Sequence, residues 1–394
     1  MIFEASRAKA VDKLNHFVEN NLSEYSKLRN FDFGTDNRSN ISCLSPYITH
    51  GIINELEVID KSLKKFSFQK NEKFIQEVLW RVYWKGWLEL RPNVWSDYLM
   101  ELDNLRDEYK SNHSYLRAIE GKTDIECFNQ WIIELKENNY LHNHTRMWFA
   151  SIWIFTLRLP WALGADFFLR HLVDADPASN TLSWRWVAGL QTVGKTYLAT
   201  SENIARFTNG RFAPKGLATV ATIPTEMPVC AAQPLPKVAY FDAQTPAFLL
   251  LTPEDLHPES LLGASTKING AGMLFDPETL GGDNARAFVA GAVHDAAERV
   301  GKNFKCPAHV LNNLDAASLI AQARETGAKQ IITAYAPVGP VADALARIAP
   351  SLVSAGIPLV HIRRAWDERF WPHATKGFFP FKERIPKILQ DMGI

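Results

Sequence analysis

Cysteine is scarce in this chain. Its 394 residues hold four, Cys43, Cys127, Cys230 and Cys306, scattered and without CxxC spacing. That argues against a zinc or iron–sulfur centre, so no metal is expected, and it fits a reduced cytoplasmic compartment better than a secreted one. Charge of one sign is also missing: 43 basic and 43 acidic residues give a formal net charge of zero. A strongly basic, charge-driven duplex binder is disfavoured, although a local basic groove is permitted. No apolar run is long enough to span a bilayer. The most apolar one, Trp148 to Leu163, is interrupted by Arg158 and Pro160 and reads as a buried helix. The opening MIFEASRAKAVDKL is amphipathic and reads as a helix, not a signal peptide. Neither GxGxxG nor GxxxxGK[ST] occurs after residue 241, and there is no internal repeat or low-complexity tract.

What the chain does have is tryptophan. Ten of its twelve tryptophans fall between Trp80 and Trp186. They are interleaved with Tyr140-Leu-His-Asn-His-Thr-Arg-Met147, Leu172-Val-Asp-Ala-Asp-Pro-Ala-Ser-Asn180 and Trp184-Arg-Trp186. An ordinary core is built from Leu, Ile and Val, because an indole N–H needs a partner when buried. So many indoles beside Arg, Asp and Asn suggest a large planar π-system held among polar groups, and a flavin fits.

Two textures divide the chain into two expected domains joined by a linker. Residues 1–215 are helical in pattern; Phe74, Val78, Leu79 and Val82, for example, share one face. Residues 216–240 are rich in proline and small residues without a sustained period and read as a linker. Residues 241–394 alternate: a strand at Ala247–Thr252, helices at 284–300 and 316–326, a strand at 329–334, a helix at 341–354 and a strand at 358–362. That alternation predicts a parallel α/β sheet with helices on both faces.

Residues 20–190 carry an ordered series of motifs: Tyr25-Ser-Lys-Leu-Arg29-Asn30, Ser42-Cys-Leu-Ser-Pro-Tyr47 with Gly51, Phe74-Ile-Gln-Glu77-Val-Leu-Trp80-Arg81, Leu141 to Met147, Asp174-Ala-Asp176, Asn180 and Trp184-Arg-Trp186. In this order and spacing they resemble the FAD-binding domain of the photolyase/cryptochrome family. Residues 249–256, 273–277 and 356–360 resemble strand regions of the same family's Rossmann-like α/β domain, without its arginine-rich turn. That domain usually precedes the flavin domain and here follows it. The multi-domain order, α then α/β, is similar to a permuted class of photolyases acting on lesions in single-stranded DNA.

The resemblance implies roles. Tyr25, Ser42, Leu44, Ser45, Arg81, Asn143, Arg146, Asp174, Asp176 and Asn180 would bind FAD. Ser42 and Ser45 would meet its phosphates at the start of a helix running from Tyr47 to Leu56, although in isolation plain helix capping is the better account of them. Arg146 and Asp174 would pair near the redox-active edge of the ring, Asp176 would accept from its imide, and Asn180 would face N5. Trp184 and Trp161 match the inner two members of an electron-transfer chain. Its outermost tryptophan is replaced by Glu108, leaving Tyr109 or Trp95 to end it. Glu77, Trp80, Asn143, His144, Met147 and Trp186 would surround a flipped pyrimidine dimer. Asn143 and Met147 stand where (6-4) photolyases carry histidines, so dimer splitting is expected; His144 replaces a family arginine.

The expected activity is light-driven repair of cyclobutane pyrimidine dimers by electron transfer from reduced FAD, on single-stranded DNA in preference, by a monomer. A cryptochrome-like photoreceptor without repair is the alternative, and a flavoprotein oxidoreductase lacks a nicotinamide site. Whether an antenna pigment binds is not legible. The aromatic, basic tail from Trp366 to Pro386 either packs between domains or offers aromatics to single-stranded nucleic acid.

Overall fold

The helical half is organised around one 22-residue helix, Phe68–Glu89, with apolar positions on several faces. It is free of proline, and its single glycine stands where the chain's C-terminal segment crosses it. A Cβ on Gly86 would lie 2.8 Å from Trp371 Cα. In this computed structural model residues 3–226, 229–263, 265–277 and 280–394 are described. Helix Pro177–Ala188 packs against the long helix, and helices Asn143–Ser151 and Trp161–His171 pack against Pro177–Ala188 in turn.

Two expectations for this half are corrected. The run from Trp148 to Leu163 is not one helix. It passes through a π-helical turn, Ile152–Thr156, and then breaks, with Arg158 in a left-handed conformation (φ 54°) ahead of Pro160. Nor does a single helix run from Tyr47 to Leu56. A short helix, Ser45–Thr49, ends at Gly51 (φ 56°), and a new one, Glu55–Lys65, starts at a capping box between Asn54 and Glu57. No residue of the connecting segment 216–240 that is described lies in a helix or strand, and Met227 and Pro228 lie outside the described residues.

The C-terminal half is a five-stranded parallel sheet in the order β3-β2-β1-β4-β5, with β1 Ala247–Leu251, β2 Ile268–Leu274, β3 Ala308–Leu311, β4 Gln330–Ala334 and β5 Leu359–Ile362. Central β1 is buried along its whole length. Ala247, Leu249 and Leu251 face a core shared with helix Asp283–Phe304, while Phe248 and Leu250 face helices Ala316–Glu325 and Pro340–Ser354. Two-sided burial explains an apolar run without alternation.

β2 starts earlier than the expected Met273–Pro277. Its Asn-Gly-Ala-Gly opening conceals a strand in which missing side chains make room: Cβ atoms on Gly270 and Gly272 would lie 3.3 and 3.2 Å from the Phe248 ring. Short β3, which no sequence pattern marked, is only half-buried.

The two halves interlock at both termini. Residues from the N-terminal helix Arg7–Asn20 share a core with the sheet, and Tyr47 packs edge-on to Phe288 at 5.4 Å. The tail returns to the helical half, where Trp366, Phe370, Trp371, Phe378 and Phe381 join the core.

Candidate active site

The spacing Glu77, Arg81, Lys85 with Trp80 and Trp84 puts one charged row and an adjacent aromatic stripe along one side of helix Phe68–Glu89. Across from it, helix Asn143–Ser151 contributes Asn143, Arg146 and Met147, and helix Pro177–Ala188 contributes Asn180, Trp184 and Trp186. Between them lies a cavity of about 550 Å³. Every cofactor- and substrate-side residue singled out from the sequence lines it: Tyr25, Ser42, Leu44, Ser45, Glu77, Trp80, Arg81, Asn143, His144, Arg146, Met147, Asp174, Asp176, Asn180, Trp184 and Trp186. Trp161 lies outside this lining, buried behind it.

At one wall Arg146 Nη2 donates to Asp174 Oδ2 at 2.9 Å, and Ser45 Oγ donates to the same oxygen at 2.5 Å. Burial pushes the Asp174 carboxyl up, but Arg146 and Ser45 together hold it below the usual carboxylate range. Asp176 caps helix Pro177–Ala188, accepting from Ser179 N at 2.6 Å. Its Oδ2 is 3.3 Å from Lys85 Nζ and 3.7 Å from Arg81 Nη1, and these cations outweigh burial to keep it ionised. Asn180 Nδ2 donates to Ala165 O at 2.7 Å. Cys43, between Ser42 and Leu44, adopts a left-handed backbone (φ 50°), a strained conformation for a residue with a side chain.

Among the described residues three buried polar atoms here have no hydrogen-bond partner, Asp174 Oδ1, Asp176 Oδ2 and Ser179 Oγ, although Asp176 Oδ2 is ion-paired with Lys85. Each such orphan costs about 1–3 kcal/mol unless something meets it. A planar ligand carrying N–H donors and phosphates, bound between Arg146–Asp174 and Asp176, answers that demand. The residues present therefore fit a flavin nucleotide.

At the other wall Arg29 Nη1 donates to Glu77 Oε1 at 2.5 Å. Burial nonetheless raises the Glu77 carboxyl above its ordinary value, beyond what Arg29 offsets. Trp186 stacks on Tyr197 with ring centroids 5.8 Å apart. His144 is held on both ring nitrogens, Nδ1 to Asn30 O at 2.9 Å and Nε2 to Tyr197 OH at 3.3 Å, and burial lowers its pKa. His142 caps the next helix, accepting from His144 N at 3.1 Å.

Behind the cavity, Trp184 meets Trp153 edge-on at 6.2 Å, and Trp153 leads through Tyr115 (6.0 Å) to Tyr109 (6.4 Å). Trp161 meets Tyr98 at 5.5 Å, and Tyr98 meets Trp95 at 5.4 Å. Gly164 is what lets Trp184 sit so close, since a Cβ there would collide with the Trp184 ring.

Sequence reasoning missed Arg29 and Lys85 as site residues. Arg29 ended a motif that was read only for its tyrosine. Lys85 lies eight residues beyond Glu77 on the same helix side, and that periodicity was the available signal.

Residues 74–219 match the family described as the FAD binding domain of DNA photolyase. The chain is 32% identical over 152 residues to a deoxyribodipyrimidine photo-lyase of Streptomyces griseus, covering 38% of this chain and 32% of that protein. It is 31% identical over 195 residues to one of Agrobacterium fabrum, covering 48% and 39% respectively. The chain thus spans less than half the length of these curated relatives. A bacterial class III photolyase from Agrobacterium tumefaciens, solved as a crystal structure, is 25% identical over 52% of this chain and 43% of its own, with a TM-score of 0.43.

Proposed function

Since this chain belongs to the photolyase/cryptochrome family through its helical FAD-binding half, we propose that it repairs cyclobutane pyrimidine dimers in DNA by light-driven electron transfer, favouring single-stranded DNA. The observation that carries this reading is the single cavity shared by both sets of residues. Arg146, Asp174, Asp176 and Asn180 line it together with Glu77, Trp80, Asn143, Met147 and Trp186. Cofactor and lesion would then be neighbours, as short-range electron transfer requires.

Reduced FAD, when bound, supplies the photoexcited electron; the protein supplies position and electrostatics. Arg146, Asp174, Asp176 and Asn180 would hold the redox-active ring, with the Asp176 carboxylate able to accept from its N–H donor. Tyr25, Ser42, Leu44, Ser45 and Arg81 hold the remainder. Glu77, fixed by Arg29 at 2.5 Å, hydrogen-bonds the edges of the damaged bases and stabilises charge arriving there. Trp80 and Trp186 provide apolar planes for a flipped dimer. Asn143 and Met147 offer no acid, and His144 already has both nitrogens engaged. Splitting two carbon–carbon bonds with return of the electron needs none.

One indole–phenol route leads away from the cavity, Trp184–Trp153–Tyr115–Tyr109, and a second series, Trp161–Tyr98–Trp95, lies behind the cavity lining. Either could refill the cofactor with electrons from outside. Trp161 Nε1 donates to Glu226 Oε1 at 2.7 Å, and that carboxylate stabilises an oxidised indole. The single-strand preference is supported by zero net charge and by the helical-first domain order. No helix of the described residues is long and apolar enough to cross a membrane. A monomer in a reducing cytoplasm is in keeping with four free cysteines.

The test begins with an absorption spectrum of purified protein. Illuminated repair of one thymine dimer in single- and double-stranded oligonucleotides follows, after chemical reduction. A flavin spectrum, repair, and faster turnover of the single strand are expected. A colourless protein refutes the cofactor assignment. Bound flavin without repair leaves a photoreceptor, and equal rates on both substrates remove the strand preference.

A further inference from the structure

The tail contrasts with the rest of the chain in both charge and burial. Residues 375–387 hold Lys376, Lys382, Arg384 and Lys387 against Glu383 alone, in a chain of zero net charge. Its aromatics divide sharply: Phe378 and Phe381 are 6% and 1% exposed, whereas Phe379 between them is 77% exposed. No aromatic partner meets the Phe379 ring among the described residues.

The tail is also anchored at the wall of the candidate active site. Phe378 stacks on Trp80 with centroids 3.7 Å apart and planes 12° from parallel. Trp80 lines the cavity and Phe378 does not, so the phenyl ring backs the indole. Tyr83 OH donates to Lys376 O at 2.8 Å, and Lys382 Nζ is 3.0 Å from Glu72 Oε1, on the helix that carries Glu77. Three contacts thus fix a short helix, Phe378–Lys382, whose second residue points an aromatic ring into water.

We propose that residues 376–382 are part of the DNA-contacting surface, with Phe379 as the stacking platform for an unpaired nucleotide beside the dimer. An exposed phenyl ring among cations is the combination single-stranded DNA recognises: the bases offer π-faces and the backbone offers negative charge. Because Phe378 and the two polar contacts hold the turn in advance, little ordering is needed on binding. A base still paired in a duplex exposes no such face, so this contact favours single strands. The proposal rests on the repair reading above.

Fluorescence anisotropy with a labelled dodecathymidylate, with and without one central cyclobutane dimer, tests it. F379A should weaken binding of both probes by roughly five- to a hundredfold, the loss of one stacked base. F379W should retain wild-type affinity, and F379L should behave like F379A, since apolar bulk without a π-face does not stack. The flavin absorption spectrum should be the same in all four proteins. Wild-type affinity in F379A or F379L overturns the proposal while leaving repair intact. If the wild-type protein binds neither probe, the repair reading itself fails.

Discussion

Two crevices among the described residues are of the kind that binds ligands, and they differ in how far they stay open. In a doubly wound sheet the ligand site is expected outside the carboxyl ends of the strands where their order reverses, here between β1 and β4. That crevice has closed to about 50 Å³, against about 550 Å³ for the cavity in the helical half. Other parts of the chain fill it. Glu89 accepts from Tyr335 OH at 2.7 Å and Val338 N at 2.6 Å, Arg364 pairs with Asp255 at 2.6 Å, and Trp371 lines the remainder. Lys85 stands between the two, 3.3 Å from Asp176 at the cavity and 3.8 Å from Glu254 at the crevice. The difference lies in the carboxylates: among the described residues the cavity leaves Asp174 Oδ1 and Asp176 Oδ2 without hydrogen-bond partners, whereas at the crevice Asp255 is paired with Arg364 and an unpartnered buried atom on the lining is the Trp371 indole nitrogen.

Substitution on either side would break this contrast if it is wrong. The largest effect is expected from R146A, which leaves Asp174 buried without its main counter-ion. Denaturant unfolding should show a loss of roughly 3–5 kcal/mol, and the purified protein should lose its flavin absorption. E254Q at the crevice should keep the flavin spectrum; if both variants lose colour, the two regions are not functionally distinct.

Next in size is E77A, on the lesion side. Repair should slow on the order of a hundredfold with FAD still bound, read from initial repair rates and the absorption spectrum. Loss of flavin would move Glu77 to the cofactor side.

The joint itself should respond to pH. Burial raises Glu254 to about 7 and Asp367 to about 8, in both cases above the ordinary carboxylate value. Their protonated forms are therefore favoured in the folded state, so their contribution to stability is full below the unfolded pKa near 4 and is lost as pH rises through 7 to 8. Tm should fall from about pH 4 to about pH 8, and E254Q combined with D367N should flatten that fall. Asp174 and Asp176 carry the opposite sign. Depressed by their cations, they stabilise above the ordinary carboxylate pKa and fail only in acid.

The smallest effect concerns the route out of the cavity. W95F and Y109F each interrupt one aromatic path. The variant on the path in use should slow flavin photoreduction several-fold while leaving repair by pre-reduced protein unchanged, as followed by absorbance under illumination.

The sequence spoke most clearly where residues close in the chain act together. The i, i+4 spacing of Glu77 and Arg81, the N-cap at Asp176 and the apolar run at Ala247–Leu251 each settle local conformation, and the α-then-α/β architecture follows from them. It misled where a distant neighbour decides. Gly270 and Gly272 look like strand breakers until Phe248 occupies the space they leave. The run from Trp148 to Leu163 reads as one buried helix despite Arg158 and Pro160, yet Arg158 turns the chain aside. The tail's aromatics divided between core and solvent in a way no period announced.

The sequence by itself determined the chemistry on offer: indoles, two aspartates with an arginine, and an asparagine in an order suited to FAD. Only the tertiary structure decided which space stays open, because closure depends on pairs as remote as Glu89 and Tyr335, which no local pattern encodes. Local periodicity fixes the direction of a side chain, whereas a void is the joint product of every element around it.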